Sequence, residues 1–454
     1  MKEKSSSVFK GSIFLGVGAF LAKLIGVLYR IPLTAYIGAY GIGLYQMVFP
    51  VYTLLLDFSG AGVPNALSKI IASCKEESLS HKYLRLSVRL FSILGIISGA
   101  IMIIFSKFIS KTQGDINASL SYVTLAPAVL FVCLISSLRG YFQGKMNMLP
   151  TALSQIVEQI VKLVLGLTFC IAFLPNVPKC VSFATFAITI SEMVAFLLLL
   201  IIFKKQNRGV KLFFVRDKGE KYFSGAKTLL KIVIPVTILG VILPFSQVID
   251  SFITINLLKR YLSSATTLYG LFSGVVMTII HLPVSISYGI SVTIIPAISK
   301  SDSLNERESH VKKSMLISLV FGLIATTVCI IFAEQILLIL FRNLNEYEFN
   351  LCVGLLKITS ISILFHVLLQ TTNGVLIGGG NPYLAVIGML FGVVTKVVVS
   401  LLTISNPKIN IYGSAISSIA CYFIAFLVNL IILIKKVYVN ADKKTFAKRQ
   451  VNFQ

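Results

Sequence analysis

The chain has 454 residues, 56% hydrophobic and only 13% charged, with 41 Lys and Arg against 17 Asp and Glu for a formal charge of +24. A soluble chain of this size carries about 25% charged residues, so this composition excludes a water-soluble enzyme. It also excludes nucleic-acid binding as the reason for the basic excess.

A helix needs about 20 apolar residues to cross the hydrocarbon core. By that criterion the chain holds twelve spans, at 11–37, 41–71, 86–109, 119–145, 151–174, 181–203, 228–257, 266–299, 310–341, 350–378, 383–404 and 411–435. The first apolar run is broken by Lys23 and has no small-residue cleavage site, so it reads as a span and not as a cleaved signal. Loops are short; the longest, 206–227, is basic and lies near the midpoint, and a second basic segment, 436–454, follows the last span. The expected organisation is a six-helix lobe (1–205), that linker, a second six-helix lobe (228–435) and a cytoplasmic tail.

With the N-terminus cytoplasmic, 29 basic residues fall on the cytoplasmic side, including Arg139, 7 fall outside and 5 lie within spans. That bias is the positive-inside pattern, and it places both termini in the cytoplasm. Most of the +24 is therefore an orientation signal. The seven cysteines show no metal spacing and no disulfide framework, and neither a metal nor a cofactor is expected.

Two halves repeat at a displacement of about 224–234 residues. Leu44-Tyr45 matches Leu268-Tyr269, and Val63–Lys69 matches Ile295–Lys300. Gly140 and Gly144, followed by Pro150 and Lys162, match Gly374 and Gly378, followed by Pro382 and Lys396. A six-span unit repeats in the same orientation, as in secondary transporters.

The charges inside spans are Lys23, Arg30, Lys162, Lys357, Lys396, Asp57, Glu158, Glu192 and Asp250, with His281 and His366 beside them. Each charge at mid-bilayer costs about 2.5–3.5 kcal/mol, so nine facing lipid would cost on the order of 20–30 kcal/mol, more than a fold's net stability. They must face one another, an interface or water. Lys23 and Arg30 lie two turns apart on one side of the first span, with Asp57 or a ligand phosphate as the anion to answer them. Gln155, Glu158, Gln159 and Lys162 form one stripe, with Glu158 and Lys162 at i, i+4, either a packing pair or part of a site. Further stripes are Gln247, Asp250, Ser251 and Thr254; His281, Ser285 and Tyr288; and His366, Gln370 and Asn373. Each histidine reads as a satisfied core residue or a proton relay. Lys357 is placed to snorkel, and Glu192 reads as an isolated core acid. Gly60, Gly62 and Pro64 should bend or break the second span, Pro235 and Gly240–Pro244 the seventh, and Pro283 and Pro296 the eighth.

The stretches AKLIGVLYRIP (22–32), RGYFQGKMNMLPTALSQIVEQIVK (139–162) and the eighth span's LP and IIPAIS (282–299) resemble the MOP flippase superfamily, in its polysaccharide-exporter branch of SpoVB-like and MurJ-like lipid II flippases. The resemblance covers nearly the whole chain. It implies an all-α polytopic membrane protein of the MATE/MurJ type in a bacterial cytoplasmic membrane, two rocking lobes, and an undecaprenyl-pyrophosphate-linked sugar as cargo. In MurJ-like members basic residues of the first helix line the cavity; Lys23 matches one such position and Arg30 lies about one residue from another. A further basic position is replaced here by Leu56 or Asp57, and two C-terminal helices of many members have no counterpart.

The expected function is a lipid-linked oligosaccharide flippase used in peptidoglycan or polysaccharide synthesis, in growth or in sporulation. Lys23 and Arg30 would hold the pyrophosphate, with Gln155, Glu158, Gln159 and Lys162 completing the substrate site. Asp57, Glu158 and Asp250 are candidate carriers of a coupling ion, H+ or Na+, and His281, His366 and Lys396 are secondary candidates. The alternative is a MATE-type cation antiporter that uses the acids as ligands. A membrane-embedded glycosyl- or phosphotransferase would need acid or histidine clusters at the membrane face, where the loops hold only scattered acids such as Asp302, Glu306 and Glu308.

Overall fold

The computed structural model describes residues 2–60, 62–210, 212, 220–300 and 303–435, and the side chains of residues 1–21, 23, 24 and 27 are among those outside the description. The described chain is helical throughout, with eleven helices long and apolar enough to cross a membrane. Leu28–Ser73 counts as one of these, which accounts for the difference from twelve spans. The first two spans join in α1 (Lys2–Gly60) with the left-handed residue Gly38 (φ 65°) between them. Only glycine takes that conformation without strain.

Two compact units divide between Phe252 and Ile253. In the first unit α1 is followed by α2 (Val63–Ser73), α3 (Glu77–Ile104), α4 (Ser106–Gln113), α5 (Ser119–Gly144), α6 (Leu149–Ala172), α7 (Val177–Gln206) and most of α8 (Glu220–Leu258). The second unit holds α9 (Ala265–Gly270), α10 (Met277–Lys300), α11 (Leu304–Ile331), α12 (Ala333–Leu340), α13 (Glu346–Thr359), α14 (Ile361–Gly378), α15 (Pro382–Ile404) and α16 (Tyr412–Ile434). The division falls within the seventh span, later in the chain than the basic linker. Part of that linker and the whole basic tail lie outside the described residues.

The predicted break in the second span is real. The helix stops at Gly60 and restarts at Val63, where a Cβ on Gly62 would stand 2.8 Å from the Val233 carbonyl oxygen of α8. The seventh and eighth spans depart from expectation. Helix α8 runs unbroken through Pro235 and Pro244, and α10 through Pro283 and Pro296. A proline's missing N–H can be tolerated in a bilayer where neighbouring groups re-satisfy the freed carbonyl. The irregularity of the eighth span lies earlier, in a π-helical turn at Leu271–Val276 between α9 and α10.

Glycines and hydroxyls set the helix contacts, as in membrane interiors generally. On α5, a Cβ at Gly140 would be 3.0 Å from Pro64 Cα and one at Gly144 2.7 Å from Ile71 Cβ, so α5 lies directly against α2. On α14, a Cβ at Gly374 would be 2.7 Å from the Ser291 carbonyl oxygen and one at Gly378 2.8 Å from that of Ile295, so α14 lies against α10. The repeated motifs thus meet their own repeated partners in both units. Hydroxyls tie α5 to α7 (Ser121–Ser182, 3.0 Å; Thr124–Thr185, 2.8 Å) and α11 to α14 (Ser318–Thr371, 2.6 Å). Six of the seven cysteines are buried and Cys74 is half-buried; all are free thiols.

Candidate functional site

The charged interior of the first unit is built on α1, α5, α6 and α7. A turn at residues 145–148, with Met146 in the left-handed region (φ 60°), folds α6 back from α5. Arg139 and Ser154 are equidistant from this turn, and Arg139 Nε donates to Ser154 Oγ at 3.0 Å. Its Nη2 donates to Glu158 Oε2 at 3.0 Å, and both side chains are only 16% exposed. Glu158 Oε1 accepts from Gln159 Nε2 at 2.8 Å. The carboxylate is therefore held from both sides.

This arrangement corrects the expected Glu158–Lys162 pair. Arg139 is the ion-pair partner of Glu158, and no described carboxylate comes within 4.0 Å of Lys162. Lys162 turns toward α1 instead, with Nζ 5.8 Å from the centre of the Tyr29 ring. Tyr29 is buried, and its hydroxyl has no hydrogen-bond partner among the described residues. Gly166 gives that hydroxyl its space, since a Cβ there would stand 2.6 Å away. Gln155 Oε1 is a second buried acceptor without a partner among the described residues.

Arg30 follows Tyr29 on α1 and lies 6.0 Å from the centre of the Phe49 ring, at the edge of cation–π range. It is also in electrostatic reach of Lys162, as are Glu158 and Glu192. Glu192, on α7 and 6% exposed, is in electrostatic reach of Glu158, Arg139 and Lys162. The predicted isolated acid is thus a member of the cluster. Among the described residues three cations, Arg30, Arg139 and Lys162, share this interior with two carboxylates. Like charges in such an interior repel more strongly than in water, and an anion brought to them is favoured by both charge and hydrogen bonding.

The other candidates are dispersed. The Lys23 side chain lies outside the described residues. Asp57 is half-buried and makes no ion pair or hydrogen bond with a described residue, so it does not answer Arg30. Asp250 is half-buried on α8 in the first unit. Its neighbour Ser251 accepts from Gln113 Nε2 at 2.7 Å, and the same Nε2 donates to the Met47 carbonyl at 2.9 Å. The second unit brings His281 and His366 together, ring centres 6.1 Å apart, and places Lys396 half-buried on α15. Lys357 is exposed and pairs with Glu334 at 3.1 Å, as suits a snorkelling residue.

Arg139 is the site residue that the charge count assigned to the cytoplasmic loops. The signal for it was the α5–α6 hairpin itself: a tight turn places opposite each other residues equally far from it, and Arg139 stands opposite Ser154, one turn from Glu158.

Comparison with known proteins agrees with this architecture. The family model described as polysaccharide biosynthesis protein matches residues 8–260, and the MatE model matches 235–402. Stage V sporulation protein B of Bacillus subtilis (strain 168) is 24% identical over 452 residues, covering 96% of this chain and 86% of the relative. Lipid II flippase MurJ of the same organism is 27% identical over 477 residues, covering 98% and 86%. Among solved structures, an inward-facing multidrug resistance MATE family transporter of the MOP superfamily matches with a TM-score of 0.78 at 14% identity, over 93% of this chain and 96% of that one. On this family match over residues 8–260, the chain belongs to the polysaccharide biosynthesis protein family.

Proposed function

We propose that the protein is a lipid-linked oligosaccharide flippase. It carries an undecaprenyl-pyrophosphate-linked sugar, a precursor of the cell wall or of another polysaccharide, from the cytoplasmic to the outer leaflet by alternating access. The observation that carries this reading is the excess of cations in the interior of the first unit, where Glu158 is already taken by Arg139 and no described carboxylate lies within 4.0 Å of Lys162. An anionic headgroup bound at Arg30 and Lys162, with Lys23 on the same helix, relieves that repulsion. Gln155 and Gln159 supply neutral hydrogen-bonding groups beside it. The relatives named stage V sporulation protein B and lipid II flippase MurJ support a lipid-linked precursor as the cargo class.

On this reading the protein is a transporter that makes and breaks no covalent bond. Its two lobes are 1–205 and 228–435, joined by the basic linker 206–227, with the tail 436–454 and the N-terminus both in the cytoplasm of a bacterial cell. Transport is driven by the membrane potential or by an H+ or Na+ gradient; one elementary charge crossing 100 mV supplies about 2.3 kcal/mol. On this reading Asp57, Glu158 and Asp250 are the candidate carriers of the ion, and a proton or cation taken up at Glu158 would have to compete with Arg139.

The test is complementation. Cells depleted of their own lipid II flippase should regain outward translocation with the wild-type chain and lose it with Lys23→Ala, Arg30→Ala or Lys162→Ala. Failure of the wild type removes lipid II as cargo, and full rescue by the variants removes the pyrophosphate assignment. The MatE match over 235–402 favours a second reading, a cation antiporter. Ethidium efflux that depends on Asp57 or Asp250 would establish it in place of the first.

A further inference from the structure

Helix α8 starts in the first unit and ends in the second, and it stays helical where the units divide between Phe252 and Ile253. Each unit grips it within a turn of that division. In the second unit Thr254 Oγ1 lies 3.5 Å from Ser414 Oγ of α16. In the first the grip is Gln113, the last residue of α4 and fully buried, for which the flippase reading has no use.

Gln113 is buried because α4, a helix of eight residues, packs inward the face that carries Ser106, Ser110 and Gln113. A side-chain amide has two N–H donors, and both are taken here. Nε2 donates to the Met47 carbonyl of α1 at 2.9 Å and to Ser251 Oγ of α8 at 2.7 Å. A carbonyl can only accept, so the Met47 contact fixes which way the amide points. Ser251 directs its own O–H to the Val248 carbonyl at 2.8 Å, which leaves an Oγ lone pair for Gln113. Gln113 Oε1 accepts from the Tyr122 hydroxyl of α5 at 2.5 Å, and the same hydroxyl lies 3.0 Å from the Met47 carbonyl. That carbonyl stands beside the one, at Gln46, that Pro50 deprives of its helical donor. One side chain thus ties α1, α5 and α8 to α4, on the last turn that α8 makes in the first unit.

The second unit shows that the frame does not need this network. Helices α11 and α12 repeat the 28 and 8 residues of α3 and α4. Helix α13 follows α12 at the spacing with which α5 follows α4, so Leu340 stands for Gln113 and Phe349 for Tyr122. Both are half-buried, and apolar contact holds the short helix there. A buried hydrogen bond adds only modest net stability. What Gln113 adds is directional, since it fixes one point on α8.

We propose that Gln113 is a clamp that sets the pivot of α8, confining its flexing to the turn between Ser251 and Thr254. The consequence for transport rests on the flippase reading: when the lobes rock, a helix that runs unbroken through their division takes up the motion beyond the clamp. Gln113 is a positioning residue and touches no cargo.

Amide exchange of the full chain in nanodiscs, without cargo, tests the clamp. Ser251→Ala removes one acceptor and leaves Gln113 bonded to Met47 and Tyr122. Exchange over 248–256 should rise about three- to tenfold, the worth of one hydrogen bond, while α4 and α5 stay within about twofold. Gln113→Leu, which copies the residue of α12, should raise 248–256 by the same factor. The double variant should go no further there, because the two substitutions remove one shared bond. In a translocation assay either single variant should lower the maximal rate about three- to tenfold with the half-saturating cargo concentration unchanged, a split that loss of headgroup binding does not give. If Gln113→Leu does not fold, Ser251→Ala decides alone. Unmoved exchange over 248–256 in Ser251→Ala, additive effects in the double variant, or a rise spread evenly over the first unit overturns the clamp. Raised exchange with an unchanged maximal rate overturns its part in transport. A wild-type chain that moves no lipid-linked cargo counts against the flippase reading, and the exchange measurement still decides the clamp.

Discussion

The two units share a frame and differ in what fills it. Helices α3 and α4 have 28 and 8 residues, and so do α11 and α12. The glycine pairs of α5 and α14 each bring a neighbouring helix into backbone contact. Counting from Gly140 and Gly374, the position of Arg139 is taken by Asn373, that of Ser154 by Gly388 and that of Glu158 by Gly392. In the first unit these positions hold an ion pair. In the second, Asn429 Nδ2 donates to Asn373 Oδ1 at 2.7 Å, and Gly388 and Gly392 let α16 press onto α15, with a Cβ at Gly392 only 2.6 Å from the Cys421 carbonyl oxygen. Close-approach positions preserve the architecture, and the positions between them were free to become charged in one unit and neutral in the other.

The comparison breaks most visibly at the ion pair. Arg139→Ala leaves Glu158 charged and unmatched, and removing one partner of a buried pair costs about 3–5 kcal/mol. Thermal unfolding in detergent should show a large drop in Tm, mostly recovered in the double variant Arg139→Leu, Glu158→Leu. An unchanged Tm in the single variant would mean that the charges do not distinguish the units. The shared frame predicts the opposite symmetry. Gly144→Leu, against Ile71, and Gly378→Leu, against the Ile295 backbone, should each lose about 1–3 kcal/mol to overpacking. Unequal losses by the same assay would show that one unit tolerates slack.

Function should follow the charge asymmetry. Lys162→Met should lower translocation about tenfold, the worth of one charge-assisted hydrogen bond, whereas Lys396→Met, at the matching position, should leave it within about twofold on the same scale. Equal effects in a flippase assay would restore symmetry to the site. The smallest change is expected at Lys357→Ala. Its pair with Glu334 is exposed on both sides, and such pairs contribute about 0–1 kcal/mol, so Tm should barely move.

Apolar length revealed the spans, because a bilayer demands it, and the paired glycine, proline and lysine positions revealed the repeat. The break at Gly60–Val63 was legible from local chemistry alone. The continuity of α8 and α10 was not, since whether a proline interrupts a helix depends on what neighbours its freed carbonyl. The stripe Gln155–Lys162 was found by helical spacing, yet its pairing was misread, because i, i+4 geometry describes one helix and the arginine arrives from another. Glu192 looked solitary for the same reason. His281 and His366 stood in separate stripes, and only packing of α10 on α14 brings them together.

The Arg139–Glu158 pair also bears on how the chain enters the bilayer. The two residues sit on consecutive helices separated by a turn of four residues. A translocon that releases α5 alone would expose an arginine to lipid, at about 2.5–3.5 kcal/mol if it stood at mid-bilayer. Released together, the hairpin brings that arginine its own counterion. The short 145–148 connection thereby makes α5 and α6 a single unit of biogenesis, completed before α7 is needed.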